Sequence, residues 1–392
     1  GGDERAISLY EFYRQEDTDR SLDKQRALFE QMRRLWNPPA VFIDRKAMGA
    51  DYSIRKHFSH LLPRDLLITC PGKLSKTAKP VEVRADGAWS EISSGDPVRV
   101  VKGQFEVVKV DLLNRTITLR SPASESSCYN LRLKFESREV FREHSRYKIG
   151  ELLPVSIEGV VSETRSGKFQ QIFDSTLDSH TDWRQSWWLA HPSLKAPLPN
   201  PWLCLNEVLK RFLNDTRSGI IHGDLNLENV LIERPGDALY LIDFAEVRQD
   251  RVLHDLFRYE TEIVVKIFAR TLANRQNATV PKAVYDFYSR LDRESFKLGK
   301  DPVAADSSPE IEKSFKMLVE LRKEAQSNLT GREEQYYLGL MVYLLGAMKF
   351  DTLNEPRDKL GRSIPKQVSF WAAATIAQWA RLDLPPPPPP PK

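Results

Sequence analysis

The chain has 392 residues, 41% of them hydrophobic and 29% charged, with a formal net charge of +4. That is long enough for two or three domains with a sizeable core, and the balance is globular rather than disordered. The small net charge makes no case for a nucleic acid or a membrane surface as partner, no apolar run reaches the ~18 residues a membrane span needs, and three scattered cysteines (Cys70, Cys128, Cys204) in no CxxC arrangement argue against disulfides or zinc and for a reducing cytoplasm.

The first residues, Gly1-Gly2-Asp3-Glu4-Arg5, lack the apolar segment of a signal peptide and lack an initiator Met. The expectation is that the chain begins inside a longer polypeptide. Residues 6–36 read as helical: Leu9, Phe12, Tyr13, Leu22, Leu28, Met32 and Leu35 recur at steps of three and four, with charges between. Trp36-Asn37-Pro38-Pro39 ends that helix.

From about residue 65 the period changes to that of strands. Val81–Val83, Val98–Val101, Phe105–Val110, Thr116–Leu119, Leu131–Phe135 and Val155–Val161 alternate or run β-branched, with Gly103-Gln104 and Asn114-Arg115 at turn positions. Short strands at this spacing predict a small β-barrel or sandwich, OB-like, over 65–178. Residues 181–203 are rich in Trp and Pro and read as a packed loop with aromatic anchors. Leu203–Thr216 reads as a helix. Beyond residue 246 helices are predicted over 253–274, 281–292, 309–327, 333–350 and 365–382, with Pro281 and Pro365 at helix starts. Pro385–Pro391 is a polyproline II tail, read as a stiff end in preference to a ligand for a proline-binding module.

The residues that carry chemistry lie between. Ile220-Ile221-His222-Gly223-Asp224-Leu225-Asn226-Leu227-Glu228-Asn229 runs into the apolar Val230-Leu231-Ile232; after a turn at Pro235-Gly236-Asp237 comes Leu239-Tyr240-Leu241-Ile242-Asp243-Phe244-Ala245-Glu246. Stripped down, this is H-G-D-x-x-x-x-N, a short hairpin, and a strand ending in D-F. Phosphoryl transfer asks the protein for positioning and charge neutralisation more than for covalent chemistry. Asp224 is the carboxylate that would take the acceptor hydroxyl's proton. Magnesium takes hard oxygen ligands and keeps several waters, so Asn229 and Asp243 suffice as protein ligands. His222 reads as a prop of the loop, and Gly223 as the residue that allows the tight path into Asp224. The plainer reading is a surface hairpin using Asp and Asn as turn formers, but the joint spacing is far more specific than either motif alone.

H-G-D-L-N-x-x-N-V-L-I followed by L-I-D-F resembles the aminoglycoside and choline phosphotransferase branch of the protein-kinase-like fold. The further run Leu253-His254-Asp255-Leu256-Phe257-Arg258-Tyr259-Glu260 makes the chain more similar to the kinase-like ternary complex associated domain of bacterial conflict and signalling systems. The resemblance implies an α+β, mostly helical kinase-like C-terminal lobe with the β-barrel inserted. It implies Asp224 as catalytic Asp, Asn229 and Asp243 as metal and nucleotide ligands, Asp255 as a helix carboxylate bracing the loop, and Mg2+ with ATP or another NTP as cofactors. Arg258 and Glu260 read as a solvated or structural pair.

No G-x-G-x-x-G precedes residue 222, and Lys102 and Lys109 are weak candidates for a phosphate-binding lysine. Ile7–Tyr13 instead looks like the segment that follows the hinge in aminoglycoside-type kinases, which places the N-lobe upstream of Gly1. The expected organisation is a post-hinge helical segment (1–64), the inserted β-domain (65–178), the kinase-like C-lobe (179–384) and the tail (385–392). The expected activity is Mg-ATP-dependent phosphotransfer to a hydroxyl acceptor, within a bacterial multi-component system. The alternative is a non-catalytic interaction or sensing module with protein partners in a multi-protein complex.

Overall fold

The computed structural model describes residues 6–37, 52–71, 79–85, 89, 91–122, 129–214, 216–234, 236–275, 279–297 and 308–388. Cys128, Pro235 and the end of the proline run lie outside them. The chain is α+β and divides into two compact units. One comprises Gly1–Tyr52, Ser175–Val208 and Phe212–Lys392; the other comprises Ser53–Asp174 and Leu209–Arg211.

The first unit opens with β1 (Ala6–Ser8), α1 (Leu9–Gln15) and α2 (Thr18–Trp36). The single helix predicted over 6–36 is therefore a strand and two helices. Two local caps account for the difference. Ser8 is extended and its side chain accepts from Glu11 N at 3.2 Å, which starts α1 after the strand. Asp17 is extended and accepts from Arg20 N at 2.9 Å, which starts α2 afresh.

The second unit is built on one sheet. Its elements are α3 (Ile54–Phe58), β2 (Leu66–Cys70), β3 (Val81–Val83), β4 (Pro97–Val100), β5 (Glu106–Asp111), β6 (Thr116–Arg120), β7 (Asn130–Phe135), α4 (Arg138–His144), β8 (Ile157–Thr164) and α5 (Arg165–Thr176). Expected as a barrel or sandwich, this region is a curled, mixed seven-stranded sheet in the order β3-β4-β8-β2-β7-β6-β5. The pairs β2–β7 and β3–β4 are parallel; the others are antiparallel. The core is the inward half of each alternation: Ile68, Val98, Val100, Ile117, Leu131 and Leu133 are fully buried. The outer edge of β5 is covered by the segment around residues 150–153, where Val107 N donates to Glu151 O at 2.9 Å and Leu153 N to Phe105 O at 2.7 Å. A partly buried ion pair, Arg165–Asp65 at 2.8 Å, fixes the end of β8, and Asp65 also accepts from Asn130 N at 2.8 Å.

The first unit resumes with β9 (Trp188–Leu189), β10 (Leu198–Pro199), α6 (Pro201–Leu209), β11 (Ser218–Ile221), β12 (Val230–Glu233), β13 (Leu239–Leu241) and β14 (Arg248–Arg251). The helices α7 (Leu253–Glu262) and α8 (Ala269–Ala273) follow, joined by a π-helical stretch, Ile263–Phe268. Then come α9 (Val280–Glu294), α10 (Pro309–Asn328), α11 (Glu334–Ala347) and α12 (Ile364–Ala377). The helix predicted over 203–216 stops at Leu209, because Leu213 N donates to Tyr52 O at 2.9 Å and Asn214 accepts from Tyr52 N at 3.0 Å, drawing the chain into an extended path.

Three small sheets lie in this unit among the described residues, one of them the β9–β10 pair. β12 pairs with both β1 and β13, and β11 pairs with β14. Behind them, α11 and α12 are buried on every face, which their apolar sequences permit. Gly339 of α11 lies so close to Phe257 of α7 that a β-carbon would stand 2.2 Å from the ring. Of the aromatic anchors expected over 181–203, Trp183 is buried, while Trp188 donates its Nε1–H to Pro385 O at 2.9 Å.

Candidate functional site

The loop from His222 to Asn229 joins β11 to β12, and the turn after β13 carries Asp243. Register brings the two ends together. Val230 stands opposite Leu241, Ile242 N donates to Asn229 O at 3.0 Å, and His222 Nε2–H donates to Ile242 O at 2.9 Å. Asn229 and Asp243 therefore sit at the same end of the hairpin, with His222 linking the loop to the strand that delivers Asp243. The His222 ring also lies against Phe244, with centroids 5.3 Å apart.

Asp224 is held from several directions. Arg258 Nε donates to Oδ1 at 2.9 Å, Asn226 Nδ2 donates to Oδ2 at 3.0 Å, and Asn229 Nδ2 donates to the Asp224 carbonyl at 3.0 Å. The Asp224 side chain keeps 38% of its surface open to solvent. Burial pushes the Arg258 guanidinium toward neutrality, but Glu262 and Asp224 outweigh it and keep the charge. Because Asn229 spends its amide nitrogen on Asp224, the amide oxygen, the atom a hard cation needs, is not the one used within the loop.

Beneath the loop, Asp255 is fully buried at the first turn of α7. It accepts from His222 N and Gly223 N at 2.9 Å each, and from Trp36 Nε1 at 3.0 Å. Burial pushes its carboxyl up; the three hydrogen bonds pull it down without cancelling that effect. The brace fixes two consecutive backbone amides and so fixes the direction in which Asp224 leaves the loop. Gly223 is obligatory here. Its φ is +84°, and a β-carbon would lie 2.2 Å from Glu246 O.

Asp243 is exposed and left-handed, with φ 58° and ψ 66°. Asp tolerates this region better than most residues, yet it is an uncommon conformation for a side chain other than glycine. The donor set, an exposed carboxylate beside an amide oxygen, fits a hard divalent cation that retains most of its water. Neither suits a soft metal.

The chain matches ternary complex associated domain 9 over residues 1–354. It belongs to that family. No curated protein and no solved structure matches it.

Within this member of the family, the five residues singled out from sequence fall into one connected group: Asp224, Asn229 and Asp243 around the hairpin mouth, His222 between the strands, and Asp255 beneath. Three partners escaped the sequence reading. Arg258 pairs with Asp224 and with Glu262, at 3.2 Å, not with Glu260. Residues two apart on a helix face different ways. Glu260 instead points inward to Arg322 at 2.8 Å, both fully buried, and accepts from Tyr336 OH at 2.6 Å. Trp36, which ends α2, has no sequence signal for its role. Asn226 did have one, an Asp-x-Asn turn in which its Oδ1 accepts from Glu228 N and Asn229 N. Lys102 and Lys109 are exposed.

A second buried group stands behind the loop. Asp250 of β14 accepts from Arg248 Nε at 2.8 Å and from Tyr52 OH, and His254 bridges Tyr52 OH at 2.7 Å and Tyr343 OH at 2.8 Å. Burial raises the Asp250 carboxyl, but His254 and Arg248 more than offset this and bring it down to about 2.

Proposed function

We propose that this chain carries the C-terminal lobe of a kinase-like phosphotransferase that moves a phosphoryl group from Mg-ATP, or another NTP, to a hydroxyl acceptor. The observation that carries the reading is the Asp255 brace. A buried carboxylate spends both oxygens on the backbone of His222 and Gly223, at 2.9 Å each, to aim the next residue, Asp224. A turn-forming surface hairpin needs no such support. In this reading Asp224, oriented by Arg258 and Asn226, accepts the proton of the acceptor hydroxyl as that oxygen bonds to phosphorus. The bond from phosphorus to the nucleotide's bridging oxygen breaks in the same displacement. Asn229 and Asp243 would hold the magnesium, which would supply charge neutralisation for the nucleotide phosphates. His222 keeps the two halves of the site in register.

Asp224→Ala should abolish transfer while leaving the fold intact, since the side chain is half-open and its partners are polar. Full transfer activity in that variant would end the proposal. A second reading is a non-catalytic module in a multi-protein complex. It is favoured by the engagement of both Asp224 oxygens by the protein itself and by the family's name, which speaks of a ternary complex. Nucleotide binding without transfer in the unaltered chain would favour it.

A further inference from the structure

Three cations, from α1, the π-helical stretch and α8, gather around the ring of Tyr10. The Arg14 guanidinium lies 5.5 Å from the Tyr10 ring centroid, Lys266 Nζ lies 5.7 Å from it, and Arg270 Nη1 donates to Tyr10 OH at 3.2 Å. They open onto a cavity of about 180 Å³ whose lining also includes Lys313 and Glu310 of α10. The charges do not balance. Lys266 is paired with Glu262 at 2.7 Å. Arg14 and Arg270 have no carboxylate within ion-pair distance among the described residues. Lys313 spends its protons on main-chain carbonyls, Tyr13 O and Glu16 O, and burial pulls its ammonium toward neutrality. The single acid in the wall, Glu310, accepts from Ser308 Oγ at 2.9 Å and acts on Lys313 and Arg275, so it sets one negative charge against the four cations of the wall.

The ring positions the two guanidiniums without neutralising them, and their planar forks match phosphate oxygens. The cavity is small, so the complement is a compact, highly charged group.

We propose that the cavity bounded by Arg14, Lys266, Arg270 and Lys313 binds a phosphomonoester group, on a free small molecule or on a phosphorylated side chain. The site is independent of the phosphotransfer reading, because none of its four cations holds Asp224, Asn229 or Asp243. It is nonetheless wired to the same loop: Tyr10 N donates to Leu227 O at 3.2 Å, and Lys266 Nζ lies 3.8 Å from Glu228.

The test is isothermal titration of the whole chain, in EDTA so that no divalent cation contributes, with O-phospho-L-serine, a phosphoserine peptide and the same peptide unphosphorylated. The phosphorylated probes should bind and the unphosphorylated peptide should not. The double variant Arg14→Gln/Arg270→Gln, both exposed positions whose exchange should leave the thermal midpoint unchanged, should weaken binding at least tenfold. A peptide bound at least tenfold tighter than phosphoserine assigns the site to a phosphorylated protein; equal affinities assign it to a free ester. Absence of binding by either phosphorylated probe at millimolar concentration, or binding that the double variant leaves unchanged, overturns the proposal. Neither result bears on whether Mg-ATP binds at Asp243.

Discussion

At the scale of the residue, Gly223 makes the sharpest demand. A side chain there must adopt φ +84° and must displace Glu246 O, which a β-carbon would approach to 2.2 Å. Gly223→Ala should destabilise the chain by at least about 2 kcal/mol, read from denaturant midpoints at constant m. Asp255→Ala should cost more, on the order of 3 kcal/mol, because it strands three buried donors rather than removing one contact. Arg258→Gln should cost stability, because the buried Glu262 is left with Lys266 alone, and should lower turnover more than it raises KM, because it loosens the aim of Asp224. Asp250 gives a pH signature. Its carboxyl is brought to about 2 in the fold from an ordinary 3.8. The stabilisation is present above the unfolded value and lost as the pH falls from about 4 toward 2; it amounts to about 2 kcal/mol. Asp250→Asn should flatten that part of the stability profile; an unchanged acid limb would contradict the assignment. Much of this level was legible in the sequence, because the loop is local: His222, Gly223, Asp224 and Asn229 lie within eight residues, and the structure keeps them in one hydrogen-bonded group. Trp36 was not legible. Its indole meets Asp255 across 219 positions of chain, and nothing near Trp36 announces it.

At the scale of the element, the apolar period located most helices and strands, and local caps decided where it misled. Residues 6–36 keep one apolar stripe through Glu16 and Asp17, so periodicity reads one helix, but the extended Asp17 caps a new one. The strands at 81–83, 97–100, 106–111, 116–120, 130–135 and 157–164 lie where the β-branched and alternating runs put them. Their partners do not follow from those runs: β2 runs parallel to β7 across some 65 residues, and pairing at that separation has no turn signal to mark it. The close approach of α11 to α7 belongs here too. Gly339→Ala would drive a β-carbon into the Phe257 ring, and should shift the α11 register or lower stability by about 1–3 kcal/mol despite the better helix propensity of alanine. A stabilised variant would show that the two helices have room to separate.

At the scale of the whole molecule, two cores imply two responses. Leu133→Ala opens a cavity in the sheet unit and should cost about 2–5 kcal/mol there. Hydrogen exchange should report lost protection in β2, β6 and β7, while the amides of α11 keep theirs. For the helical unit the decisive measurement is titration of Mg-ATP against the protein with thermal stability as readout. The midpoint should rise with nucleotide concentration, the rise should require the cation, and it should disappear in Asp243→Ala. A midpoint indifferent to Mg-ATP, or a shift that survives intact in Asp243→Ala, would contradict the phosphotransfer reading.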